Sequence, residues 1–251
     1  MTLQAFFTAH PKAALAFSGG ADSAYLLWAA RQYGCDVRAY YVHTVFQPAF
    51  EQADAKRLAE QLGVPLTVLE ADVLADDAVR TNPPDRCYHC KRALFSRLRQ
   101  AALDDGYSLL LDGTNASDDA GDRPGMRALA ELEVRSPLRE CGVTKAQVRQ
   151  WSREAGLFTW DKPAYACLAT RVPAGTALTA EALSRVERAE DALFALGLTD
   201  FRVRLYGGAA RIQIPEEQTP GLLARRAEVT AALSPLFDAV LLDLEPRKGS
   251  D

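Results

Sequence analysis

Three groups of residues in this chain have the types and spacing to do chemistry. The first is Ser18-Gly19-Gly20-Ala21-Asp22-Ser23, which follows an apolar run and precedes a stretch with helical spacing. Paired glycines let a backbone approach an anion closely, and the N–H groups at a helix N-terminus favour a phosphate there. Ser18 and Ser23 add hydroxyl donors, and Asp22 is suited to holding Mg²⁺ against the phosphates. The bland alternative, a tight strand–helix turn capped by serine, does not call for six specified residues in this context. The second group is the pair Cys87-x-x-Cys90, with Cys167 further along. Such a pair alone suits a redox couple or half a zinc site. His89 lies between the two cysteines and no second Cys-x-x-Cys exists, so zinc on three cysteines and a histidine stays open. The other two cysteines, Cys35 and Cys141, read as small packing residues. The third group closes predicted strands: His43, suited to an adenosine site or equally to a packed surface, and Asp112-Gly113-Thr114-Asn115, a rim for a nucleotide or an ordinary turn.

The elements that must position these groups alternate. Apolar runs predict strands over 13–17, 37–42, 64–70 and 108–112, and helical spacing predicts helices over 22–33, 50–62, 91–103 and 144–155. The last of these starts at a capping threonine and ends before Gly156, as helices often do. This alternation implies an α/β fold, a parallel sheet with helices on both faces. Ligands collect at the carboxyl ends of such strands, where Ser18, His43 and Gly113 fall. Beyond about residue 161 the texture changes to a loop, a helix over 179–196, strands over 201–206 and 210–214, a helix over 220–233 and a last strand over 239–244. We read a first domain over 1–161 and a small C-terminal α+β domain over 162–251, with a frayed tail from Glu245.

The bulk properties bound the function. An apolar fraction of 48% and a charged fraction of 25% are those of an ordinary soluble globular protein. No run approaches the roughly 18 apolar residues of a membrane span, and the N-terminal residues lack a positive flank and an apolar signal core. We therefore expect a cytoplasmic enzyme without a membrane partner. Five cysteines, an odd number, point towards metal or reactive thiols and away from a disulfide framework. A net charge of −4 argues against a general nucleic-acid binder, although a local basic patch would still admit tRNA.

The loop at Ser18–Ser23 resembles that of the PP-loop ATP pyrophosphatases, whose fold is of the adenine nucleotide alpha hydrolase-like (HUP) type. It lacks the Gly-Lys-Ser/Thr ending of a Walker loop. The resemblance implies that ATP is split between its α- and β-phosphates through an adenylylated intermediate, with no γ-phosphoryl transfer. Further segments are similar to the LarE family of ATP-dependent sulfur transferases. They are Asn82-Pro-Pro-Asp-Arg-Cys-Tyr-His-Cys-Lys91, Asp112-Gly-Thr-Asn115, Asp122-Arg-Pro-Gly-Met-Arg-Ala-Leu129, Val134-Arg-Ser-Pro-Leu138, Thr144-Lys145, Val148-Arg149 and Lys162-Pro-Ala-Tyr-Ala-Cys-Leu-Ala-Thr-Arg171. The similarity spans nearly the whole chain. It implies adenylylation of a carboxylate on a pyridinium biscarboxylic acid mononucleotide, then replacement of AMP by sulfur, a step in making the nickel-pincer nucleotide cofactor.

In one branch of that family the sulfur comes from the family cysteine, matched by Cys167, which is left as dehydroalanine. In another, three cysteines hold a 4Fe–4S cluster whose fourth iron carries a non-protein ligand, and Cys87, Cys90 and Cys167 supply that set. A cluster normally takes four thiolates, and we favour the cluster branch over the sacrificial one. The resemblance also gives Arg202 and Arg204 the substrate's nucleotide phosphate; their spacing of two puts both on one strand face. Arg211 is a weaker addition. Glu190 matches an acidic position near substrate or metal, though a solvated helix face explains it equally well. Arg171, four residues after Cys167, suits a phosphate of ATP or AMP. Thr170 stands where many relatives have serine, and Gly207-Gly208-Ala209 makes the strand connection very small. Family members form hexamers, so a homo-oligomer is expected.

Three rivals share the ATP loop. A tRNA thiolase would show a basic groove, salt-dependent RNA binding and an added RNA-binding domain. An ammonia-dependent amide synthetase would leave the three cysteines without a role. A regulatory nucleotide binder would not need Asp22 and Ser23 intact.

Overall fold

The computed structural model of the protein describes residues 1–118 and 124–247. It divides into two units, one of residues 1–73 and 85–162, the other of residues 74–84 and 163–251. In chain order the elements of the first unit are α1 (Leu3–Ala9), β1 (Lys12–Ala16), α2 (Ala21–Gln32), β2 (Asp36–His43), α3 (Ala49–Leu62) and β3 (Leu66–Glu70). The short helix α4 (Asp77–Arg80), which belongs to the second unit, precedes α5 (Arg86–Asp104), β4 (Leu110–Leu111), α6 (Pro124–Glu131), α7 (Pro137–Glu140) and α8 (Lys145–Glu154). The four strands form one parallel sheet in the order β3-β2-β1-β4.

Successive strand side chains point to opposite faces, and both faces are buried. Ala13, Leu15, Val37, Ala39 and Tyr41 pack with α1, α2, α3 and α8. Ala14, Ala16, Tyr40 and Val42 pack with Phe95, Leu98 and Ala102 of α5. This two-sided burial is why the strands read as near-continuous apolar runs and not as alternation. It also confirms the expected α/β class. Among the described residues no helix is long and apolar enough to cross a membrane.

Several boundaries differ from the sequence reading. Helix α5 begins at Arg86, five residues before the expected start at 91, so Cys87 and Cys90 lie in its first turns and not in a loop. The apolar pattern of that helix starts late because its first turns are mostly polar residues and thiols, with only Tyr88 and Arg86 buried. The short helices α1, α6 and α7 were not anticipated. Asp122 and Arg123, part of one segment shared with the family, lie outside the described residues.

The second unit contains α9 (Ala180–Ala195), β5 (Arg202–Tyr206), β6 (Ala209–Gln213), α10 (Thr219–Ala224), α11 (Arg226–Leu233) and β7 (Val240–Leu242). β5 and β6 form an antiparallel hairpin turned at Gly207-Gly208, and β7 adds in parallel to β6. Helix α9 packs on β5 and α11. It buries Leu183, Val186, Ala189, Glu190 and Leu193, so a carboxylate occupies one place in an otherwise apolar stripe. The single helix expected over 220–233 is broken at Arg225 into α10 and α11. Residues 74–84 join this unit through Asn82, whose side-chain amide donates to Pro173 O at 2.9 Å while its backbone carbonyl accepts from Gly175 N at 2.8 Å. Leu178 N donates to Arg80 O at 2.8 Å. The tail from Glu245, expected to fray, is tied at Arg247, which donates from its backbone to Ile214 O and pairs with Asp200 at 2.8 Å. Residues 248–251 lie outside the described residues.

Candidate active site

The phosphate loop connects β1 to α2 at the carboxyl end of the sheet. Gly19 has φ +73°, and a Cβ there would lie 3.0 Å from Glu51 O, so the position takes no other residue without strain. Gly20 caps α2, with its N–H directed to Ser18 Oγ at 3.3 Å. Ser18 and Ser23 share a hydroxyl contact at 3.1 Å, and Ser23 Oγ also donates to Gly20 O. The first N–H groups of α2 have no intrahelical acceptor; with the two hydroxyls they form a donor set suited to phosphate oxygens. Gly113, two residues after β4, packs against the start of α2 so closely that a Cβ would sit 2.8 Å from Ser23 N. Lys162 Nζ pairs with Asp54 at 2.7 Å and reaches Gly19 O at 3.4 Å, bracing the loop from α3.

Asp22, in the first turn of α2, is half-buried and accepts from Asn115 Nδ2 at 3.0 Å. Burial raises its pKa and Asp118 adds to the rise, while the Asn115 hydrogen bond and the charges of Lys145 and Arg149 act against it. A bound cation would relieve that desolvation. Asn115 was expected only as part of a nucleotide rim and not as the partner of Asp22, and Asp118, Lys145 and Arg149 were given no site role. Their signals were present: Lys145 and Arg149 are four apart on α8 and so share a helix face, and Asn115-x-x-Asp118 is turn-forming. Asn115 is fully buried and organises this turn, its Oδ1 accepting from Ser117 N at 2.8 Å and its N–H donating to Asp118 Oδ2 at 3.0 Å. The Thr114 hydroxyl is turned to the Asp112 carboxylate, which also accepts from Ser136 Oγ at 2.6 Å. His43, at the end of β2, pairs with Glu70 at 2.7 Å at the end of β3.

The thiols fall into two kinds. Burial pushes the Cys35 thiol up to about 11 and also raises that of Cys141, as suits unreactive packing residues. Cys87 is exposed and Cys90 half-buried, both within the first two turns of α5. Arg86 donates to Cys87 Sγ at 3.5 Å. In the second unit the half-buried Cys167 caps a 3₁₀ turn, Leu168–Arg171. Its carbonyl accepts from Thr170 N at 3.0 Å and Thr170 Oγ1 at 2.8 Å, contacts that a serine would also make. Among the described residues no three His, Cys, Asp or Glu side chains are assembled as a metal-holding group.

Arg171 is fully buried and forks onto Glu190, Nε to Oε1 at 2.9 Å and the second nitrogen to Oε2 at 3.1 Å. Arg202 is buried and donates to Ala164 O and Phe201 O. Half-buried Arg204 donates to Thr170 O at 2.6 Å and to Gln213. Burial, with the Arg171 and Arg247 guanidiniums nearby, lowers Arg202 to about 10. Burial, Arg171 and Arg211 lower Arg204 likewise. Like charges gathered in this way disfavour the charged form of each guanidinium.

A parallel sheet with Ser-Gly-Gly-x-Asp-Ser at the carboxyl end of β1, wrapped on the N-terminus of α2, is the arrangement of a PP-loop ATP pyrophosphatase. The chain is 36% identical over 233 residues to pyridinium-3,5-bisthiocarboxylic acid mononucleotide synthase of Lactiplantibacillus plantarum, covering 92% of this chain and 84% of that protein. The chain therefore belongs to the LarE family of ATP-dependent sulfur transferases. An uncharacterized protein of Synechocystis is 39% identical over 219 residues, 86% of this chain and 81% of its own length. By contrast, the tRNA-specific 2-thiouridylase of Pseudothermotoga lettingae is 25% identical over 187 residues, 60% of this chain and 54% of its own length. No family model matches the chain.

Proposed function

We propose that this enzyme adenylylates a carboxylate of pyridinium-3,5-biscarboxylic acid mononucleotide and replaces AMP with sulfur, giving a thiocarboxylic acid for nickel-pincer nucleotide synthesis. The observation that carries this reading is the near full-length likeness to the Lactiplantibacillus synthase, together with the intact loop. The shorter and weaker match to the tRNA thiolase favours a small-molecule acceptor over tRNA. In the first step a carboxylate oxygen attacks the α-phosphorus and pyrophosphate leaves. In the second a sulfur nucleophile attacks the acyl carbon and AMP leaves with the bridging oxygen.

Ser18, Gly19, Gly20, Ser23 and the N-terminus of α2 hold the phosphates, and Asp22 holds Mg²⁺ against them. Lys145 and Arg149 balance the remaining negative charge. Gly113, Thr114 and His43 border the nucleotide. Arg202 and Arg204 form the positive patch for the substrate's phosphate, and Cys167, on the turn that Arg171 holds, is the cysteine of sulfur transfer, as a cluster ligand in the favoured version and as the sulfur source in the other. A 4Fe–4S cluster would be held by Cys87, Cys90 and Cys167. The donor chemistry fits, since cysteine thiols are the ligands that such a cluster takes. Three thiolates leave one iron for a non-protein ligand such as sulfide. We further propose a homo-oligomer.

Mass spectrometry of the protein after turnover tests the sulfur source. An intact Cys167 with thiocarboxylate formed supports the cluster version. Loss of H₂S at Cys167 selects the sacrificial version. Anaerobic reconstitution in which the wild type binds neither iron nor labile sulfide removes the cluster from the proposal.

A further inference from the structure

Glu190 and Arg171 are the deepest charged pair of the second unit, with side chains 1% and 0% exposed. A carboxylate offers about four lone-pair sites, and all four of Glu190 are taken. Oε1 accepts from Arg171 Nε at 2.9 Å and from Val203 N at 2.8 Å. Oε2 accepts from the second Arg171 nitrogen at 3.1 Å and from the Tyr165 hydroxyl. Glu190 thus has no lone pair left for a metal or a substrate hydroxyl.

The far side of Arg171 faces the backbone that carries Cys167. Its remaining nitrogen donates to Ala166 O at 2.7 Å, Cys167 O at 3.3 Å and Thr170 Oγ1 at 2.9 Å. Its guanidinium also lies 4.5 Å from the centre of the Tyr165 ring. Arg202 and Arg204 add bonds to Ala164 O and Thr170 O. Four carbonyls of residues 164–170, a stretch with little regular structure, therefore accept from guanidiniums rooted in β5 or paired to α9. A buried charge costs several kcal/mol unless its hydrogen bonds are complete, and here completing them requires the Cys167 turn to stay in place.

We infer that the Arg171–Glu190 pair is a positioning device that fixes the backbone at Cys167, with Glu190 as internal counter-ion and not as a ligand. This deepens the reading of Cys167 as the thiol of sulfur transfer. Its test uses thiol reactivity without ATP, carboxylate or sulfur, so failure here is distinguishable from failure of that reading. In Arg171→Lys the point charge can still face Glu190 but cannot reproduce the fork and the carbonyl bonds together.

The full-length chain, reduced and treated with chelator, is alkylated with iodoacetamide, and Cys167 is followed by peptide mass spectrometry against Cys87 in the same molecules. The expected result is a rise of about tenfold at Cys167 with Cys87 unchanged, from a larger population of the opened turn. Tyr165→Phe, which leaves the fork intact, should stay within about twofold of wild type. In turnover, Arg171→Lys should lower kcat for sulfur transfer while the KM for ATP holds. A Cys167 rate in Arg171→Lys equal to that of wild type overturns the inference. Should that variant not fold, amide exchange of the wild type decides: residues 164–170 exchanging as slowly as α9 support the device, and exchange within seconds refutes it.

Discussion

Replacing Gly113 with alanine probes the coupling between the end of β4 and the ATP loop. The new Cβ would lie 2.8 Å from Ser23 N, 3.0 Å from its Cα and 3.2 Å from its Cβ. Two of these atoms are backbone in the first turn of α2, so no side-chain rotation relieves the contact. Comfortable separation is about 3.5 Å or more, and the strand end and helix start must part by roughly half an ångström. Gly113 has no left-handed φ, so the clash is the main effect and not backbone strain. Overpacking of this kind costs about 1–3 kcal/mol, a fall of roughly 3–10 °C in Tm for a chain of this size. The displaced group is also the N–H donor set of the loop, and misplacement of about 1 Å can cost a hundredfold. Half of that predicts a rise of about tenfold in the KM for ATP. The assay is pyrophosphate release against ATP concentration, beside a thermal melt. A lowered Tm with an unchanged KM would mean that Gly113 is only a packing residue; an unchanged Tm and KM would refute the geometry altogether.

Two further outcomes follow from the same site. Asp22→Asn should abolish pyrophosphate release yet raise the Tm of the nucleotide-free protein by a few degrees near neutral pH. Burial raises the Asp22 pKa above its ordinary 3.8; the ionised carboxylate therefore weakens the fold at all pH above its folded pKa. That penalty disappears as pH falls towards 3.8, where the two melting curves should converge. An Asp22→Asn protein that melts below wild type at neutral pH contradicts this. Lys162→Met removes the brace between Asp54 and Gly19 O and should raise the KM for ATP about three- to tenfold with a smaller change in kcat; an unaltered KM would free the loop of that dependence.

Much of the first unit was legible because its strands are buried on both faces, so composition alone marks them. The loop at Ser18–Ser23 was legible because each of its residues is required locally. What escaped depends on contacts across the sequence. Residues 74–84 read as part of the first domain, since nothing local announces that Asn82 will bond to Pro173 and Gly175. For Glu190 a solvated helix face and a place near substrate or metal were equally good readings, and burial was not foreseen because charged residues are seldom fully buried. Its burial is made tolerable by partners distant in sequence, Arg171, Tyr165 and the backbone N–H of Val203. Asn115 sits in a segment already singled out, yet its partner Asp22 lies 93 positions away.

Under the proposed function a carboxylate is adenylylated by ATP and then takes up sulfur. Incubating the enzyme with ATP, Mg²⁺, a sulfide source and the biscarboxylic acid mononucleotide labelled with ¹⁸O in its carboxylates tests this directly. Adenylylation moves one carboxylate oxygen into the phosphate of AMP, so the account predicts ¹⁸O-labelled AMP in equal amount to the thiocarboxylate formed, with pyrophosphate released. Unlabelled AMP, or ADP and orthophosphate in its place, would contradict it.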